Sequence, residues 1–432
     1  MFTQFFIFIL ISLSVSLQSL SQTLEWRLVP GIPFSGRYDD LYFINSQTGW
    51  VIDYDKVYRT TNSGSNWTLF SQPGSNRSIG FFDSQTGIVG TLDTQRALSR
   101  STNGGTNWTL VSNMPDPKPR GICGISIADE NTAYACGNYY REGRVYKTTD
   151  KGQTWMLVLN DTSIARTFVD CYFWSPDSGI AVGGYNVSGF GNGNSVVVLT
   201  TNGGNSWQRV YKSVRTQEWC WKISFVSNKI GFVSIEKFSQ IEISYILKTT
   251  NGGLNWIEIP FRSYNQEGIG FLNENTGWVG GYGIPGNDST YETTNGGTNW
   301  HAVGWGKWLN RVRFINDTLA FGSGHQLWKY SRQTVGVNPI QTEVPNQFNL
   351  YQNYPNPFNP ITLIKYDIPK TGFVKINVYD VLGKNVRALV NERLTAGSYQ
   401  VTFDAGYFPS GIYLYKLETE NFNEVKRMTL LK

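Results

Sequence analysis

Lys248-Thr249-Thr250-Asn251-Gly252-Gly253-Leu254-Asn255-Trp256 decides how this chain reads, because the chain carries six versions of it. The others are RTTNSGSNW over residues 59–67, RSTNGGTNW over 100–108, KTTDKGQTW over 147–155, LTTNGGNSW over 199–207 and ETTNGGTNW over 292–300. Their tryptophans, Trp67, Trp108, Trp155, Trp207, Trp256 and Trp300, follow one another at steps of 41, 47, 52, 49 and 44 residues. A self-similar period of this length signals a repeat architecture, and one of forty-odd residues holds four short strands and their turns. Within each copy, Asn62, Asn103, Asp150, Asn202, Asn251 or Asn295 is placed to accept from turn N–H groups, and glycine follows where a positive φ is wanted. The tryptophan then opens a strand and packs between repeat units.

A second element precedes each turn. It reads YFINSQTGWV from Tyr42, GFFDSQTGIVG from Gly80, SIADENTAYACG from Ser126 and YFWSPDSGIAVGG from Tyr172. SFVSNKIGFVS from Ser224 and GFLNENTGWVGG from Gly270 continue the series. Each is an apolar run, a polar bend and a second apolar run, the pattern of a hairpin. A seventh copy, Arg313 to Gly322, leads into Leu327-Trp328-Lys329-Tyr330 but has no complete turn motif after it. Leu24-Glu25-Trp26-Arg27-Leu28-Val29 resembles the strand after Asn107 and supplies the missing outer strand. The half-repeats therefore predict an all-β, seven-bladed β-propeller over 22–331, closed by an N-terminal strand that hides the edges of the last blade. The Asp-containing copy at Thr148 to Trp155 resembles the Asp-box of sialidase-type (BNR) propellers. The Asn-Gly-Gly form, with the Gly-Trp-Val-Gly element, is similar to Ycf48-type propellers. That resemblance implies the fold, and it implies that the turns are structural and lie away from any catalytic face.

Composition agrees: 15% aromatic, 16% charged and 45 glycines suit short strands and tight turns. A net charge of +5 over 432 residues gives no basis for a nucleic-acid partner. Residues 1–21 read as a signal peptide, with an apolar run from Phe5 to Val15 and cleavage before Gln22. No other stretch reads as a membrane span. Cys123 and Cys136 flank a hairpin bend at Asp129-Glu130 and read either as a cross-strand disulfide or as buried thiols.

Residues 332–347 are polar, contain Pro339 and Pro345, and read as a linker. Beyond them, 348–432 alternates like a small Ig-like antiparallel sandwich. Its pieces YPNPFNP from Tyr354, VYDVLGK from Val378, Gly397-Ser398-Tyr399, PSGIYLYKLE from Pro409 and KRMTLLK at the end closely resemble the C-terminal sorting domain of type IX secretion. The resemblance implies that 348–432 meets the type IX secretion machinery and that the protein reaches the outer-membrane surface or the medium.

For chemistry the sequence offers little. Two histidines and no paired-cysteine motif give no metal or cofactor site, and neither a nucleophile elbow nor a P-loop is present. Arg37, Arg77, Arg120, Arg166 and Arg311 fall near the starts of innermost strands, and acids such as Asp39, Asp40, Asp170, Glu218 and Glu267 lie near them. Loops of variable length carry Tyr139, Tyr140, Trp219 and Trp221 toward the same face. The expectation is a binding face for a glycan or protein ligand, opposite the repeated turns, on a module more a scaffold than an enzyme. The alternatives are a sialidase-like glycoside hydrolase and an assembly factor for a membrane complex.

Overall fold

The computed structural model describes residues 24–137, 143–185, 192–238, 243–261, 265–281, 290–332, 338–341, 345–405 and 408–431. The proposed signal peptide and both Tyr139 and Tyr140 lie outside them. The described residues contain strands and no helix. The chain divides into two compact units at Arg332/Gln333.

The first unit is seven four-stranded antiparallel sheets. Their first strands are Asp40–Phe43, Asn76–Phe81, Gly124–Ile127, Thr167–Phe173, Glu218–Phe225, Gln266–Phe271 and Arg311–Asn316. These pack on one another in cyclic order, and the last also packs against the first. Blade 1 continues through Gly49–Asp53, Lys56–Thr60 and Thr68–Ser71. Blade 7 continues through Leu319–Ser323 and Leu327–Arg332, and its outermost strand is the N-terminal Leu24–Leu28, paired Leu24 to Arg332 and Leu28 to Trp328.

One phenylalanine in each of five blades explains much of the repeat. Phe43, Phe81, Phe173, Phe225 and Phe271 end their first strands directly opposite Gly49, Gly87, Gly179, Gly231 and Gly277. A Cβ on Gly49 would lie 2.4 Å from the Phe43 ring, so the glycine makes room for the aromatic face. Each ring then meets its own blade's turn tryptophan edge-on, as Phe81 meets Trp108 at 5.9 Å and 78° and Phe271 meets Trp300 at 6.2 Å and 90°. At all five of these seams the ring also stacks on an aromatic of the preceding blade: Phe81 on Trp50, Phe173 on Tyr134, Phe225 on Tyr172, Phe271 on Phe232, and Phe43 on Phe321 at the seam between blades 7 and 1. Burying such a side chain contributes about 1.5–3 kcal/mol, so the blade-to-blade seams hold a large share of the fold's stability.

The repeated turns join third to fourth strands. In all six, the Thr or Ser two residues before the Asn/Asp accepts from a glycine N–H: Gly64 to Thr60, Gly105 to Ser101, Gly152 to Thr148, Gly204 to Thr200, Gly253 to Thr249 and Gly297 to Thr293, at 2.9–3.0 Å. The Asn or Asp Oδ1 accepts from the N–H four residues on, as Asn62 does from Asn66 and Asp150 from Thr154. Where glycine is replaced at the first positive-φ position, Ser63 and Lys151 take φ 58°.

The hairpin cysteines are not joined. Cys136 stands opposite Gly124, one residue out of register with Cys123, so the pleat turns Cys123 to the other face of the sheet. All four cysteines are buried, and no two of them are bonded in this structure.

The second unit is a sandwich of two four-stranded sheets, with Ile364, Tyr366, Ile376, Val378, Tyr415 and Leu417 in its core. Ile361–Ile368 shows the alternation that makes one face a core face. The prolines of the YPNPFNP stretch do not make it a free tail. Phe358 is buried, Asn353 N–H donates to the Tyr415 hydroxyl, and Asn356 Oδ1 accepts from Thr429 N–H. The segment read as linker contains one strand, Asn338–Gln341, on the edge of this sandwich beside Gly397–Asp404. Pro339 is tolerated there because an edge strand leaves one row of N–H positions unpaired.

Candidate binding site at the propeller axis

The first strands run from the face that carries the blade-to-blade connections, and at that end four of them depart from regular pairing. Asn76 and Ser78 pair across a bulge that leaves Arg77 as the extra residue, and Gln266 and Gly268 do the same around Glu267. Similar shifts lie between Phe168 and Asp170 and between Cys220 and Ile223. A bulge re-aims the side chain it displaces, and two of these bulges displace a charged residue, Arg77 and Glu267.

These residues converge. Asp39 Oδ1 accepts from Arg37 Nε and Arg77 Nη1, both at 2.6 Å. Arg37 also reaches blade 6, with Nη2 3.0 Å from Glu267 Oε2, and the start of blade 7, where Nη2 donates to Asn310 Oδ1 at 3.2 Å. Asn310 donates to the Asp39 carbonyl at 2.6 Å and accepts from Trp221 Nε1 at 3.4 Å. Beneath this layer Arg311, 3% exposed, donates through Nε to Asp40 at 2.8 Å and through Nη1 and Nη2 to Asp170 at 2.6 and 3.0 Å. Asp40 also takes the N–H groups of Leu41 and Ile79, and Asp170 that of Ile223. One guanidinium thus ties blade 7 to blades 1 and 4.

Electrostatics follow from this packing. Burial alone would raise the Asp40 carboxyl, but Arg311 and Arg313 outweigh it and hold the pKa below the usual range. Burial, and then Arg311, lowers the Lys222 ammonium. Glu236 on blade 5 and Glu267 on blade 6 behave differently. Burial and the neighbouring Glu267 push Glu236 well above the ordinary carboxylate range, while Arg37 opposes the rise at Glu267. Glu236 Oε2 is buried and makes no hydrogen bond.

The structure sorts the sequence candidates. Arg37 and Arg77 meet on Asp39 with side chains 21% and 29% exposed, and Arg77 commits Nη1 there. Arg120 and Arg166 are exposed and stand outside this cluster. Trp219 and Trp221 are buried, packed with Val169 and Phe238 rather than offered to solvent. Glu218 belongs to a separate cluster, paired with Arg215 and near Lys237. Sequence reasoning missed Lys222, Glu236, Asn310 and Arg313. Among the described residues no group of three metal-ligating side chains stands together.

Residues 352–430 match the family model of the secretion system C-terminal sorting domain. The chain is a β-propeller joined to a type IX sorting domain, and that domain marks it for export to the cell surface or medium through the secretion machinery. No curated protein matches the sequence significantly. Among solved structures the chain is similar to YCF48 bound to D1 peptide, with TM-score 0.53 and 16% identity, covering 72% of this chain and 97% of that one. It is also similar to an ancestral GH74 enzyme, with TM-score 0.51 and 15% identity, covering 94% of this chain and 64% of that one. A third is PorZ, a surface component of the type IX secretion system of Porphyromonas gingivalis, with TM-score 0.50 and 11% identity, covering 93% of this chain and 60% of that one. At these identities the likeness is one of fold. No helix among the described residues is long and apolar enough to cross a membrane.

Proposed function

We propose that this exported propeller is a binding module that takes an anionic group of a glycan or protein at the axial end where Arg37 and Arg77 emerge. The supporting observation is their convergence on Asp39 at 2.6 Å each, partly exposed and held by a cross-blade network. Guanidinium groups fixed in advance lose little side-chain entropy on meeting a carboxylate, sulfate or phosphate. Export begins, in this reading, with removal of residues 1–21, which N-terminal sequencing of the mature protein checks.

The test is binding of the intact protein to an array of acidic and neutral glycans and to immobilised cell-surface protein. Arg77→Gln should weaken binding at least tenfold while thermal melting stays near wild type, and the Arg120→Ala/Arg166→Ala pair should leave binding unchanged. Equal binding by Arg77→Gln and wild type sinks the proposal. A glycoside hydrolase is the second reading, favoured by one observation: Glu236 and Glu267 are neighbouring buried carboxyls, both raised by burial above the ordinary carboxylate range, and a raised carboxyl is what a general acid requires. Turnover of fluorogenic glycosides that is lost in Glu236→Gln would establish it, and inactivity across the panel would remove it. The sorting domain weighs against an assembly factor at the inner membrane, because it directs the chain outward.

A further inference from the structure

Two of the four thiols meet at one seam. Cys136 lies on the second strand of blade 3, Ala133–Gly137, and Cys171 on the first strand of blade 4, Thr167–Phe173. The two strands pack together, and both cysteines belong to the same buried cluster with Tyr134 and Phe173. Cys171 Sγ lies 3.7 Å from the Tyr134 carbonyl, two residues from Cys136 on the same face, and burial and then the Cys171 side chain push the Cys136 thiol up. Gly124 makes this approach feasible. A Cβ there would sit 2.9 Å from Cys136 Sγ, 2.9 Å from Cys171 N and 2.7 Å from Asp170 Cα, so any side chain would wedge the blades apart where the thiols meet. Cys123 faces the other side of its sheet, and Cys220 lies at the seam between blades 4 and 5 among Val197, Ile223 and Val233.

We propose that Cys136 and Cys171 form a disulfide in the exported protein, joining blade 3 to blade 4, while Cys123 and Cys220 remain thiols. The compartment beyond the inner membrane is oxidising, and the sorting domain shows the chain passes through it. The oxidant is a disulfide of the cell envelope, borne by a protein or a small thiol. One cysteine thiolate attacks that disulfide, forming a mixed disulfide and expelling the first thiolate of the oxidant. The second cysteine then attacks the cysteine sulfur of the mixed disulfide and releases the other. Two thiols lose two protons and two electrons, and the oxidant disulfide becomes two thiols. Both sulfurs are shut off from solvent once the blades have packed, so the exchange belongs to folding, before the seam closes.

The test uses the full exported protein, alkylated in denaturant without reductant and mapped by mass spectrometry. The expected result is a Cys136–Cys171 linked peptide, 2 Da lighter than the sum of its halves, with Cys123 and Cys220 alkylated. Reductant should lower the melting temperature of wild type and leave that of the Cys136→Ser/Cys171→Ser variant unmoved. Four alkylated cysteines, or a link that involves Cys123, overturns the proposal, and neither readout on the wild type depends on a variant folding.

Discussion

The two ends of the propeller are held together by opposite means. At the turn end, each Thr-x-Asn/Asp-x-Gly unit satisfies its own hydrogen bonds within five residues, and the same bonds recur six times. At the axial end nothing recurs. Arg37, Arg77, Lys222, Glu236, Glu267 and Arg311 come from five different blades, and the contacts among them and with their partners run across the ring. The first kind of bonding is modular and survives loss of one copy. The second is one network, and removing a fully buried member such as Arg311 leaves buried charge behind.

The largest break in that contrast is Arg311→Met. It leaves Asp40 and Asp170 buried without their guanidinium, and the expected loss is about 3–5 kcal/mol in denaturant unfolding. Combining it with Asp170→Asn should restore part of that loss, because one of the stranded charges is then removed. A turn substitution should do less. Asn251→Ala removes one local acceptor and is expected to cost about 1 kcal/mol. Pairing it with Asn103→Ala should give the sum of the single effects, where the axial pair does not.

Glu236→Gln sharpens the comparison through pH. Glu236 has a folded pKa raised above its unfolded value near about 4.3. Its contribution is therefore complete below that value and is lost as pH rises toward the folded pKa. Asp40, held low, acts in the opposite direction, with stability present above about pH 3.9 and lost as the medium acidifies further. Thermal melts of Glu236→Gln should be flatter than wild type from pH 5 upward and unchanged in their acid limb. The smallest effect is expected at the turn surface. Lys151 bridges Asp83 at 2.8 Å with both side chains more than a third exposed, so Lys151→Ala should shift stability by no more than about 1 kcal/mol.

The same contrast explains what could be read in advance. The turns were legible because their chemistry is local: Thr249, Asn251 and Gly253 lie within five residues, and any copy shows the pattern. Seven blades were legible because Arg313 to Gly322 begins a unit that Leu24 to Leu28 completes. The axial cluster was legible only in part. Arg37 and Arg77 were found by their place near strand starts, but bulges at Arg77 and Glu267 shift side chains off the repeat's offsets, so no fixed spacing marks them. Trp219 and Trp221 were misread as exposed because the shift between Cys220 and Ile223 changes which way that strand's side chains point. Asn338–Gln341 was hidden by composition, since two prolines nearby look like a spacer whether or not an edge strand lies between them.

The pairing of Leu24 with Arg332 also orders events in time. The segment made first must wait for the one made last within the propeller, roughly three hundred residues later, before either finds its partner. Contacts so distant in sequence form late, after their loop-closure entropy is met by the rest of the ring. During synthesis and passage through the inner membrane, blade 7 is therefore an open sheet edge and the propeller an arc. Translocation encounters a propeller that is unable to lock until the strand ending at Arg332 has arrived.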